Sequence, residues 1–93
     1  MLVTFEYSLF YGKGHYGEAY VEAEISEEEY DRLHTAYESG EEFEDCEMLN
    51  DIYSRVYEVA DEEATNDLIL EGILEEGKKA SELYPITVYY PEE

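Results

Sequence analysis

Positive charge is what this chain has least of: five Lys and Arg stand against 26 Asp and Glu in 93 residues, a formal charge of −21. Lys13, Arg32, Arg55, Lys78 and Lys79 are too scattered to make a basic footprint, so direct binding to DNA, RNA or an anionic membrane is excluded. The single cysteine, Cys46, rules out an intrachain disulfide, and nothing points to an oxidising compartment. No apolar run approaches the roughly 18 residues of a membrane span, and Met1 to Glu6 carries no basic segment of the signal-peptide kind. The expectation is one small cytoplasmic domain with no membrane contact.

Catalytic and ligand-binding motifs are scarce as well. His15 and His34 stand apart from any spacing that holds zinc. Acidic runs such as Glu41-Glu42 and Asp61-Glu62-Glu63 lack the alternating oxygen donors and central glycine of a calcium loop. Gly12, Gly14 and Gly17 reproduce the spacing of a phosphate-binding loop, but a strand follows where a helix is required, which makes the segment a hairpin loop. Cys46 lies between Asp45 and Glu47, whose charges are expected to favour the neutral thiol. Neither enzyme activity, metal nor cofactor is expected.

What is present is an apolar pattern that predicts a fold. Hydrophobic residues make up 44% of the chain and aromatics 15%, with eleven tyrosines, enough for a core despite the charge. Val3, Phe5, Tyr7, Leu9 and Tyr11 alternate with Thr4, Glu6 and Ser8. After the glycine-rich loop, Ala19, Val21, Ala23 and Ile25 alternate with Glu18, Tyr20, Glu22 and Glu24. Period two in both runs predicts an antiparallel hairpin with one acidic face.

Ser26 and Glu29 have the spacing of a capping box that opens a helix with Tyr30, Leu33 and Tyr37 on its inner side and Gly40 as its stop. A second helix is predicted from about Asp45 to Ala60, with Leu49, Ile52, Tyr53, Val56 and Ala60 inward. Asp61 to Ala64 either continues that helix or caps a third, running to about Glu76 through Leu68, Ile69, Ile73 and Leu74, with Gly77 as its end. Pro85 bars a helix across Tyr84, and Ile86 to Tyr90 reads as a closing strand. The predicted architecture is a two-layer α+β domain, β-β-α-α-α-β, with a three-stranded antiparallel sheet in the order 2-1-3.

The charge must then sit on a folded surface. Glu28, Asp31 and Glu38 share the outer side of the first helix. Glu41, Glu42, Phe43, Glu44 and Asp45 form an acidic connector around one aromatic. Glu47, Asp51 and Glu58 draw a line about 16 Å long on the second helix, at about 1.5 Å of rise per residue. Carboxylates grip arginine through paired hydrogen bonds and aromatic faces attract cations, so these eleven residues are the candidate surface for a basic protein partner, itself a nucleic-acid-binding protein. Whether the chain works as a monomer or a homodimer is left open.

Duplex DNA carries one charge per about 1.7 Å, so 21 charges match roughly 36 Å of duplex. In charge and size the chain resembles the small acidic decoys of phages and mobile elements, the anti-CRISPR and anti-restriction DNA mimics. That resemblance is one of composition. It implies a non-enzymatic inhibitor seated in the basic channel of a defence nuclease or another nucleic-acid-binding protein. The alternative is an acidic adaptor, or an immunity-like protein, that binds its basic partner outside any nucleic-acid site. A halophilic origin fits poorly with 21 Glu and only 5 Asp.

Overall fold

Alternation of apolar and polar residues does produce the hairpin: β1 (Leu2–Phe10) pairs antiparallel with β2 (Tyr16–Glu24) in unbroken register, from Leu2 opposite Glu24 to Phe10 opposite Tyr16. The computed structural model describes residues 1–12 and 16–91. Lys13, Gly14 and His15, which the sequence assigns to a hairpin loop, and the terminal Glu92 and Glu93 lie outside the described residues.

Ser26 caps α1 (Glu27–Ser39) as its sequence implies. Its hydroxyl accepts from the Glu29 amide while the Glu29 carboxylate accepts from the Ser26 amide, and Gly40, at φ 75°, ends the helix in the left-handed conformation. A single 3₁₀ turn (Phe43–Asp45) leads into α2 (Glu47–Leu70), one helix of 24 residues. Asp61 to Ala64 therefore continues the second helix and opens no third. Gly72, not Gly77, accompanies its end: at φ 78° it lets its own amide donate to the Ile69 carbonyl and the Ile73 amide to the Leu68 carbonyl, the paired bonds of a Schellman stop. The third helix is a single turn, α3 (Ala80–Leu83), held to α2 by Asp61, whose carboxylate accepts from the Ser81 amide and hydroxyl. β3 (Ile86–Val88) closes the sheet against Tyr7–Leu9 of β1, giving the order β2-β1-β3.

One face of this sheet packs on the helices, and period two explains which side chains face inward. Phe5, Tyr7, Leu9, Val21, Ala23, Ile86 and Val88 meet Leu33, Ala36 and the inner stripe of α2, Leu49, Ile52, Val56, Ala60, Ala64 and Leu68, in one core. Tyr37, read from its helical spacing as an inward residue, is 55% exposed, and the smaller Ala36 takes the buried place. Ile73 is exposed too, because α2 has ended before it. On the other sheet face Ser8 is also buried, its hydroxyl 2.9 Å from that of Tyr89. Among the described residues no helix is long and apolar enough to cross a membrane.

A candidate acidic partner surface

Ion pairing decides which of the candidate acids face outward unengaged. The two helices fold back on each other, and both arginines serve that contact. Arg55, two turns into α2, pairs with Glu29 in the first turn of α1 and lies 3.3 Å from Asp51. At the other end Arg32 of α1 holds the Glu41 carboxylate at 2.6 Å. Glu38 is 2.6 Å from His34 on its own helix, and Asp45 accepts from the Glu42 amide to brace the 3₁₀ turn. Glu41, Asp51, Glu38 and Asp45 therefore have structural work inside the chain. Glu28, Asp31, Glu42, Glu44, Glu47 and Glu58 are exposed and in none of these ion pairs, while Glu38, Asp45 and Asp51 are exposed despite their contacts and Glu41 is half-buried.

The surface has a definite shape. Glu28, Asp31 and Glu38 lie along α1, Glu47, Asp51 and Glu58 along α2, and residues 41–45 join the two rows where the helices turn back. Phe43, expected to offer its ring to a partner, is half-buried and instead stacks on Tyr90, with centroids 4.3 Å apart and planes at 15°. It also meets Tyr53 at 5.0 Å, while Tyr53 meets Tyr57 at 5.7 Å and Tyr90 meets Tyr37 edge-on at 6.4 Å. Five rings from α1, the connector, α2 and the C-terminal segment thus form one ladder beneath the acidic connector. The Tyr90 hydroxyl donates to the Glu41 carbonyl at 2.7 Å and pins the connector from below.

The acids of the connector act on the hydroxyls of that ladder. Burial pushes the Tyr90 hydroxyl pKa above its ordinary value, and the charges of Glu42, Glu41 and Asp45 push it the same way. Tyr53 is raised by burial, by Tyr57 and by Glu44. Cys46 departs from the sequence expectation. Its pKa is lowered, because the backbone amides of Leu49 and Met48 at the start of α2 and the Arg32 guanidinium outweigh the desolvation of the thiol. No group of three or more His, Cys, Asp or Glu suited to a metal ion occurs among the described residues.

Sequence reasoning did not single out one further concavity. A cleft of about 400 Å³ on the open side of the sheet is lined by Thr4, Glu6, Tyr20, Tyr37, Tyr89 and Tyr90. Tyr20 stands on the glutamate side of its strand, which was the one local signal of an aromatic facing outward. Comparison with protein-family models, curated proteins and solved structures finds no match to this chain.

Proposed function

We propose that this protein is a non-enzymatic inhibitor that imitates the charge of a nucleic acid and occupies the basic channel of a nucleic-acid-binding protein, in the manner of anti-CRISPR and anti-restriction decoys. One observation carries the reading: the density of negative charge along a rigid, elongated frame. The molecule extends 40 × 25 × 23 Å. Leaving out Lys13, Glu92 and Glu93 takes the net charge from −21 to −20, and 40 Å divided by 20 charges is 2.0 Å per charge. Duplex DNA has about 1.7 Å per charge, and 40 Å is the length of about 12 base pairs.

Rigidity matters because a decoy must hold its charges without a partner's help. Here the exposed carboxylates project from two packed helices and a connector clamped by Arg32 and Tyr90. Arg32 and Arg55 are engaged in internal ion pairs with Glu41 and Glu29, and the net charge of −20 already includes what they neutralise. Such an inhibitor acts in the cytoplasm, where its targets work. It acts as a single copy. The outer edge of β2 carries Glu18, Glu22 and Glu24, so pairing that edge with a second copy would set glutamates against glutamates.

The test is competition. Proteins captured on the immobilised chain are challenged with a 12-base-pair duplex, or an RNA of equal charge, at constant ionic strength. Release by nucleic acid is the expected outcome. Retention through that challenge, with release only by added NaCl, rejects mimicry in favour of an adaptor that binds outside the nucleic-acid site. The aromatic cleft on the open sheet face, which no duplex surface resembles, is the observation that favours that second reading.

A further inference from the structure

The cleft on the open sheet face has a chemistry of its own. In the β1–β2 register Tyr20 stands directly opposite Glu6, and on the other side the Tyr89 amide donates to the Glu6 carbonyl at 3.0 Å. Tyr20, Glu6 and Tyr89 therefore form a row across the sheet, a carboxylate between two tyrosines. Strands lie about 4.8 Å apart, so the outer two residues of such a row stand about 10 Å apart at the backbone. The cleft over this row, about 400 Å³, has room for one planar group. Tyr37 and Tyr90, in edge-on contact, wall the side nearest α1. The bond between the Tyr89 and Ser8 hydroxyls, 2.9 Å, fixes the far ring.

We propose that this cleft receives an arginine side chain from a partner protein, its guanidinium bonded to Glu6 and flanked by Tyr20, Tyr37 and Tyr89. Charge and shape select the occupant. A carboxylate at the floor and tyrosine faces at the walls favour a cation, and the fork of guanidinium donors matches a carboxylate bidentately while its plane stacks on a ring. A lysine ammonium, a strongly hydrated point charge, gains the attraction but neither the stacking nor the paired hydrogen bonds. Tyr20 at 65% and Tyr37 at 55% exposure leave the mouth of the cleft open to an incoming side chain. The site lies where the sheet meets Tyr37 of α1 and Tyr90 beneath the acidic connector, and does not depend on the partner being a nucleic-acid-binding protein.

The test uses the full chain and three capped tripeptides, Gly-Arg-Gly, Gly-Lys-Gly and Gly-citrulline-Gly, followed by NMR at 0.15 M NaCl. The arginine peptide should shift the resonances of Thr4, Glu6, Tyr20 and Tyr89 before any others. It should bind about fivefold or more tightly than the lysine peptide and more tightly still than citrulline, which keeps the shape but loses the charge. Glu6→Gln and Tyr37→Ala should each weaken arginine binding several-fold, whereas Glu62→Gln, which removes the same charge from an exposed position of α2 outside the candidate partner surface, should not. Equal affinity for arginine and lysine peptides overturns the proposal, because the whole chain is acidic and attracts any cation. So do shifts spread evenly over the surface, or an equal loss in Glu6→Gln and Glu62→Gln.

Discussion

Replacing Phe43 separates two roles for this ring, one in holding the fold together and one in touching a partner. The side chain is half-buried, so its apolar burial contributes about half of the ~3 kcal/mol that a fully buried phenylalanine gains. Two ring contacts, with Tyr90 at 4.3 Å and Tyr53 at 5.0 Å, add about 0.5–1.5 kcal/mol each. Phe43→Ala should therefore destabilise the protein by about 3 kcal/mol, a fall of roughly 12–24 °C in Tm for a domain of this size. Phe43→Leu keeps most of the burial and loses the ring contacts, so it should cost about half as much. Thermal and urea unfolding followed by circular dichroism measure both, and the near-ultraviolet tyrosine signal should weaken in each variant as Tyr90 and Tyr53 lose their neighbour. A loss below about 0.5 kcal/mol in Phe43→Ala, the range of an ordinary surface substitution, would refute the ladder as a stabilising element. In that case the ring is free to serve a partner directly.

Three further outcomes follow from the charge. Tm should rise with NaCl as the Debye length shortens from about 10 Å at 0.1 M to about 3 Å at 1 M, and a flat or falling curve means that repulsion is already balanced within the fold. Tyr7, buried and facing Asp67 and Glu63, has its pKa pushed up to about 12 from 10.0. The folded state therefore holds a proton that the unfolded state releases, and stability should fall as pH rises from about 10 to about 12. Tyr7→Phe should flatten that slope in urea titrations, and an unchanged slope assigns the loss to other groups. For partner binding, reversing Glu44, Glu47 and Glu58 to lysine should weaken capture more than reversing Glu18, Glu22 and Glu24. Asp51 is spared because a lysine there would face Arg55. The opposite ranking in a pull-down moves the functional face to the sheet.

Much of the fold was legible because its causes are local. Alternation in residues 3–11 and 19–25 places one side of each strand inward wherever the strands go. The Ser26–Glu29 box acts within a single turn, and Pro85 acts on its neighbour. The acid surplus, and with it the expectation that nucleic acid and anionic membrane are not direct partners, needs no structure at all. The continuity of α2 through Asp61 to Ala64 was not decidable from those residues, because a helix interior and a helix cap both accept them. What settles it is Ala64 and Leu68 reaching the same core as Ile52 and Val56.

The candidate surface was legible as composition and not as geometry. Which carboxylates stay unengaged depends on where two arginines fall after folding, and Arg55 reaches Glu29 across 26 positions of sequence. Phe43 looked like an outward anchor because its neighbours are acidic, but the ring it stacks on, Tyr90, arrives from the far end of the chain. The row of Tyr20, Glu6 and Tyr89 is likewise made by strand pairing between segments that share no sequence pattern. Periodicity reports a side chain's direction relative to its own backbone. Only the tertiary structure decides what it meets there, because the contacts that form are selected by the packing of the whole core.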